Sequence, residues 1–137
     1  MRLALYQPDI PQNLGAAMRL CACLGAPLDI VQPCGFALTD RALKRAALDY
    51  AGAATMARHE SFAAFRAALR GRLVLVETDG AARLDEFAFT QGDTLIVGRE
   101  SAGASPELRA AAGASVRIPM AAGLRSLNVV SAAAMAL

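Results

Sequence analysis

Short apolar runs alternate along the chain with longer stretches in which apolar positions recur at helical spacing. Leu3 to Tyr6, Leu28 to Val31, Thr55 to His59, Thr94 to Val97 and Ser115 to Ile118 read as strands. Arg72 to Glu77, rich in Val and Leu with little alternation, reads as a strand buried on both faces. Between them lie five predicted helices. Asn13 caps Leu14 to Leu24, which Gly25 stops, and Thr39 or Asp40 caps a helix to about Leu48 with Arg41, Lys44 and Arg45 at i, i+3, i+4. Ser61 caps Phe62 to Arg70, ended by Gly71; Pro106 opens a helix near Glu107 to Ala112; Val129 to Leu137 is the last. Strand and helix alternating over the whole length predict a single α/β domain, residues 1–137, with a parallel sheet and helices on both faces.

The stretch Ile118 to Val130 holds the densest chemistry. Pro119 cannot extend a ladder, and a glycine-bearing loop with Arg125 and Ser126 follows. Ser126 and Asn128 are both N-cap types, so a helix N-terminus with its unpaired N–H groups opens on this loop and favours negative groups. Taken alone, the loop equally allows a plain capped helix whose arginine faces water. The final helix is apolar on every side and reaches Leu137 without a glycine, basic residue or proline to close it, so it is expected to be incomplete.

Composition changes this picture little. An apolar fraction of 55% and a charged fraction of 19% suit a globular chain with a real core, and a net charge of +2 is too small to name a nucleic-acid binder. Lys44 is the sole lysine; the arginine excess suits phosphate recognition and equally reflects a GC-rich coding bias, which also favours alanine. No secretory signal is visible, and no run reaches the roughly 18 apolar residues of a membrane span, so a cytoplasmic protein is expected. Cys21, Cys23 and Cys34 lack paired spacing and His59 stands alone, which predicts reduced, buried thiols and no metal.

In open parallel sheets ligands sit beyond the carboxyl ends of the strands. Thr78–Gly80, Gly98–Gly103 and Pro119–Ser126 qualify, and all carry glycine. The absence of G-x-G-x-x-G after the first strand and of G-x-x-x-x-G-K-[ST] disfavours nicotinamide dinucleotides and nucleoside triphosphates. A nucleoside-like ligand held mainly by backbone is the expectation.

Gln7-Pro8-x-Ile10-Pro11-x-Asn13-x-Gly15 with Arg19-Leu20-Cys21, Gly98-x-Glu100-x-x-Gly103, and Arg117-Ile118-Pro119-Met120 with Arg125-Ser126-Leu127-Asn128 resemble, in order, the three motifs of the SPOUT-class RNA 2′-O-ribose methyltransferases. Gly35-Phe36, Arg45-Ala46, Leu48-Asp49-Tyr50 and Arg58-His59 make the chain most similar to the group that modifies the tRNA wobble nucleotide. The resemblance implies a C-terminal deep trefoil knot, a homodimer, and S-adenosyl-L-methionine bound in the knotted pocket. It implies cofactor contacts at Val76, Gly98, Gly103, Ile118 and Ser126. Catalysis and placement of the tRNA anticodon stem-loop would fall to Arg19, Asn13, Glu100, Ser126 and Asn128. One departure stands out: that group often has Gly-Pro-Glu-x-Arg-Gly in the second motif, where this chain has Gly98-Arg99-Glu100-Ser101-Ala102-Gly103.

The implied reaction is in-line attack of a ribose 2′-hydroxyl on a sulfonium methyl, which needs no metal because the leaving group departs neutral. Arginine, with a pKa of about 12.5–13.8, stays protonated. Arg19 is therefore expected to anchor a phosphate and stabilise a forming alkoxide. The alternatives are a SPOUT enzyme for another RNA such as rRNA, and a non-catalytic RNA- or nucleoside-binding homologue. A flavodoxin-like electron carrier is more distant, since few aromatic residues are present to sandwich a flavin.

Overall fold

The computed structural model describes residues 1–39 and 55–137. The helix expected from Thr39 or Asp40 to about Leu48, with Arg41, Lys44 and Arg45, lies outside these residues, as do the motif matches at Arg45-Ala46 and Leu48-Asp49-Tyr50.

Described strands are β1 (Arg2–Tyr6), β2 (Leu28–Val31), β3 (Met56–His59), β4 (Leu73–Val76), β5 (Ala82–Arg83), β6 (Thr94–Val97) and β7 (Ala114–Arg117). They form one sheet in the order β3-β2-β1-β6-β4-β7-β5, and every pairing is parallel. Helices α1 (Pro11–Leu24), α2 (Phe62–Ala68), α3 (Pro106–Ala111) and α4 (Val129–Ala136) cover it. Side chains alternate across a strand, and the core divides accordingly. Leu3, Leu5, Val74, Val76, Leu95 and Val97 face α1 and α4. Ala4, Tyr6, Leu73, Leu75 and Ile96 face Phe62 and Phe65 of α2 and Leu108 of α3. Helices on both faces of a parallel sheet follow directly from strands apolar on both sides, as expected.

The central strand is the late-arriving β6, inserted between β1 and β4 and buried at all four residues. Asp93, just before it, is fully buried. Its carboxylate accepts a bidentate pair from Arg72 (Nε 3.0 Å, Nη2 2.7 Å) and bonds from the Thr90 amide (2.8 Å) and hydroxyl (2.9 Å). The Arg72 pairing comes first among the causes that hold its pKa at about 2.

Several local expectations hold: Gly25 closes α1 with φ 64, and the Ser61 hydroxyl accepts from the Ala64 amide at 3.1 Å. Others need correction. Asn13 does not cap α1: Pro11 occupies the first turn, where its missing N–H costs nothing, so the helix begins three residues earlier than Leu14 behind Ile10. No sequence pattern predicts β5; two residues carry no periodicity, and the strand exists by pairing with β7. Only Cys21 of the three thiols is buried, its pKa pushed up to about 11 chiefly by desolvation, whereas Cys23 is exposed and Cys34 partly so. The final helix is not uniform either: Val130, Ala133 and Ala136 pack inward, while Met135 is 57% exposed.

Candidate active site

Neighbouring strands β1 and β6 send the chain to opposite faces, β1 into α1 and β6 towards α3. A crevice therefore opens at their carboxyl ends. Three segments close around it.

The first is the turn after β1. Gln7 takes φ 48, and its amide donates to Val31 O at 2.9 Å. Asp9 then lies against Gly35, where a Cβ would sit 2.9 Å from Asp9 Oδ1 and 3.0 Å from its Cα. A side chain at position 35 would displace Asp9.

The second segment is a tight hairpin. Arg99 and Gly103 exchange backbone hydrogen bonds (2.9 and 2.8 Å), Gly103 has φ 67, and a Cβ on Gly98 would lie 2.4 Å from Gly103 C. Only glycine fits such backbone contact. The hairpin is clasped to the first turn. Asp9 accepts from Arg99 Nη2 (2.7 Å) and Nε (3.2 Å), from the Ser101 amide (3.1 Å) and from the Ser101 hydroxyl. The Arg99 bonds, then those of Ser101, hold the Asp9 carboxyl at about 2. This is what Arg99 does in the departing motif: it clamps the hairpin to the turn after β1.

The third segment leads into α4. The Asn128 Oδ1 caps α4 by accepting from the Val130 (2.9 Å) and Ser131 (3.3 Å) amides, which turns its Nδ2 to Asn13 Oδ1 at 3.0 Å. Asn13 Nδ2 donates to Glu100 Oε1 (3.0 Å), and Glu100 Oε2 accepts from the Asp9 amide (2.7 Å). One hydrogen-bond relay thus runs Asp9–Glu100–Asn13–Asn128 and ties all three segments.

The cavity between these segments, partly open to solvent, measures about 430 Å³. Val76, Val97 and Gly98 line it at the strand ends, Ile118, Leu127 and Val129 add apolar wall, and Arg125 and Ser126 stand at an exposed edge. Asn13, Glu100, Ser126, Asn128, Val76, Gly98, Gly103 and Ile118 all border this cavity. Arg19 does not border it: it is exposed on α1, about 9 Å along the axis and about 120° around it from Asn13.

Sequence reasoning missed Asp9, Glu77 and Arg109. Glu77 follows the last residue of β4 and its side chain is 11% exposed; Arg109 of α3 approaches its Oε2 to 2.7 Å. The guanidinium stands at ion-pair distance but off the hydrogen-bonding line, leaving buried Oε2 without a directed donor. Burial raises the Glu77 pKa, Arg109 opposes the rise, and Asp79 adds to it. The available signal was position: an acid directly behind a four-residue apolar strand falls at the crevice.

The volume suits a drug-sized ligand. Backbone approach at Gly98, an apolar wall and a half-buried carboxylate at Glu77 fit a nucleoside-like ligand. The fold and crevice are those of an α/β methyltransferase of the SpoU type. Residues 1–137 match the SpoU rRNA Methylase family, and the chain belongs to that family. It is 49% identical over 138 aligned residues to a tRNA (cytidine(34)-2'-O)-methyltransferase of Beijerinckia indica, covering 98% of this chain and 86% of the relative. A solved structure concerned with the 2-OH methylation of C/U34 on tRNA superposes with a TM-score of 0.92 at 43% identity, covering 98% of this chain and 90% of that one. The SpoU methyltransferase AviRb of Streptomyces viridochromogenes, solved with AdoMet, superposes with a TM-score of 0.83 at 28% identity, covering 99% of this chain and 54% of that one.

Proposed function

We infer that this chain is a cytoplasmic tRNA 2′-O-methyltransferase that uses S-adenosyl-L-methionine to methylate the ribose of the wobble nucleotide, cytidine or uridine 34. The observation that carries the reading is the Asp9–Glu100–Asn13–Asn128 relay, which draws the three motif segments around one cavity. The cytidine-34 activity named for the relatives supports the choice of substrate. Val76, Gly98, Gly103, Ile118 and Ser126 hold the donor. The proposal includes a C-terminal trefoil knot and a homodimer that receives the anticodon stem-loop at the subunit junction. Exposed apolar side chains at Leu24 and Met135 are consistent with such a junction.

When bound, the donor supplies an electrophilic methyl on a sulfonium that leaves as a neutral thioether. The chain's own residues then orient and stabilise the acceptor. Glu100 accepts from the Asn13 side chain and from the Asp9 amide, so it positions Asn13 at the crevice. Asn13 and Asn128 each keep one amide N–H beyond the relay, available to an acceptor oxygen at the crevice. Arg19 does not reach the cavity of its own chain, so its role is on the RNA side: it pairs a phosphate next to the attacked ribose and so holds the 2′-hydroxyl in place.

The test is methyl transfer from labelled donor to bulk tRNA of a strain lacking this modification, followed by nucleoside mapping. Label in 2′-O-methylated nucleoside 34 is expected. Label confined to ribosomal RNA would move the substrate to rRNA, and donor binding without transfer to any RNA would leave a non-catalytic binder.

A further inference from the structure

The Glu77–Arg109 pair has no part in the relay, yet both residues face the donor cavity. We propose that Glu77 is a specificity-determining residue of the donor pocket, its carboxylate accepting hydrogen bonds from the ribose hydroxyls of the adenosyl group, with Arg109 as its positioning partner. The inference rests on the donor reading above.

Position along the sheet separates the two ends of the cavity. Val76 and Val97 are register partners, so Glu77 and Gly98 leave adjacent strands side by side, about 4.8 Å apart. The reacting groups lie to one side of Gly98, where Glu100 leans over β1 to Asn13 and Asp9. Glu77 lies to the other, beside β7, its amide bonded to Val116 O at 3.0 Å. It therefore meets the nucleoside part of the donor, away from the methyl being transferred.

Chemistry narrows the ligand group. Arg109 answers the charge of Glu77 at 2.7 Å, so the pair does not demand a cation. Oε2 is buried against Arg109, so a ligand hydroxyl meets the carboxylate at its other oxygen, where the side chain borders the cavity. A ribose hydroxyl is a donor matched to that oxygen, the way acids at strand ends hold ribose in other nucleotide-binding sheets. Arg109, 45% exposed and also 3.3 Å from Asp79, holds the carboxylate in place from the solvent side.

The experiment is calorimetric titration of the full chain, and of Glu77→Ala and Glu77→Gln, with S-adenosylhomocysteine and its 2′-deoxy and 3′-deoxy analogues. The wild-type chain is expected to bind at least one deoxy analogue about tenfold or more weakly than the parent, in line with a lost hydrogen bond to a charged group. Glu77→Ala should weaken the parent by a similar factor and bind parent and deoxy forms alike; Glu77→Gln should fall between. Analogue binding to the wild-type chain keeps the test decisive if Glu77→Ala does not fold. Equal wild-type affinity for all three ligands, or a deoxy penalty that survives in Glu77→Ala, overturns the proposal. Failure of the wild-type chain to bind S-adenosylhomocysteine at all would overturn the donor reading itself.

Discussion

Replacing Asp9 by asparagine tests how the donor cavity is held. The carboxylate, 14% exposed, accepts from a guanidinium that is 38% exposed, and from the Ser101 amide and hydroxyl. Asparagine keeps the shape but removes the charge, and its NH₂ must face one donor set, Arg99 or Ser101. Charge-assisted bonds of this kind contribute about 1.5–3 kcal/mol when buried and about 1 kcal/mol or less when well exposed. For a half-exposed clasp about 1.4 kcal/mol is reasonable, a factor of about ten in any equilibrium that needs the hairpin closed. Because Gly98 and Glu100 stand on that hairpin, the loss should appear as about tenfold weaker binding of S-adenosylhomocysteine by calorimetry. The melting temperature should fall by only about 3–5 °C, since the clasp lies beyond the sheet. Ser101→Ala should show a smaller effect in the same direction. Unchanged donor affinity in Asp9→Asn would refute the idea that the Asp9–Arg99 clasp shapes the cavity.

Three further outcomes follow from the same geometry. Arg19→Ala should lower turnover more than about a hundredfold while donor affinity stays within about twofold, as the proposed role on the RNA side requires; a tenfold loss of donor binding with normal turnover at saturation would reverse that assignment. Gly98→Ala should abolish measurable donor binding with the sheet intact by circular dichroism, because its Cβ would lie 2.4 Å from Gly103 C; wild-type affinity would show that the hairpin yields freely. Asp93→Asn should lower stability by about 2–3 kcal/mol in urea melts, since its carboxylate is fully buried against Arg72. The folded pKa of about 2 lies below the ordinary 3.8, so this contribution is fully present above pH of about 4 and is lost as pH falls towards 2. The Asp93→Asn variant should lack that part of the acid transition.

Much of the fold was legible because β1, β2, β4 and β6 are short apolar runs and several described helices carry their own punctuation. Gly25 and Ser61 stop and start helices where residue type alone placed them. Asn13 misled for a physical reason. A good cap residue sits two positions after a proline that opens the helix, and tertiary hydrogen bonds to Glu100 and Asn128 claim its side chain. The lining of the candidate cavity was legible where motif and loop coincide, at Gly98, Glu100, Ile118, Ser126 and Asn128. It was illegible where a pair forms between segments far apart in sequence. Nothing near Asp9 announces Arg99, ninety residues on, and nothing near Glu77 announces Arg109. Arg19 shows the converse: motif membership pointed to it, yet the single chain turns it away from the cavity.

A crystal of the full chain soaked with S-adenosylhomocysteine measures the central claim most directly. The account predicts the adenosyl group bedded between the ends of β4, β6 and β7, against Val76, Gly98 and Ile118, with its sulfur directed to the side where Asn13 meets Asn128. Electron density for the ligand anywhere outside that crevice, or three segments too far apart to touch it together, would contradict the account.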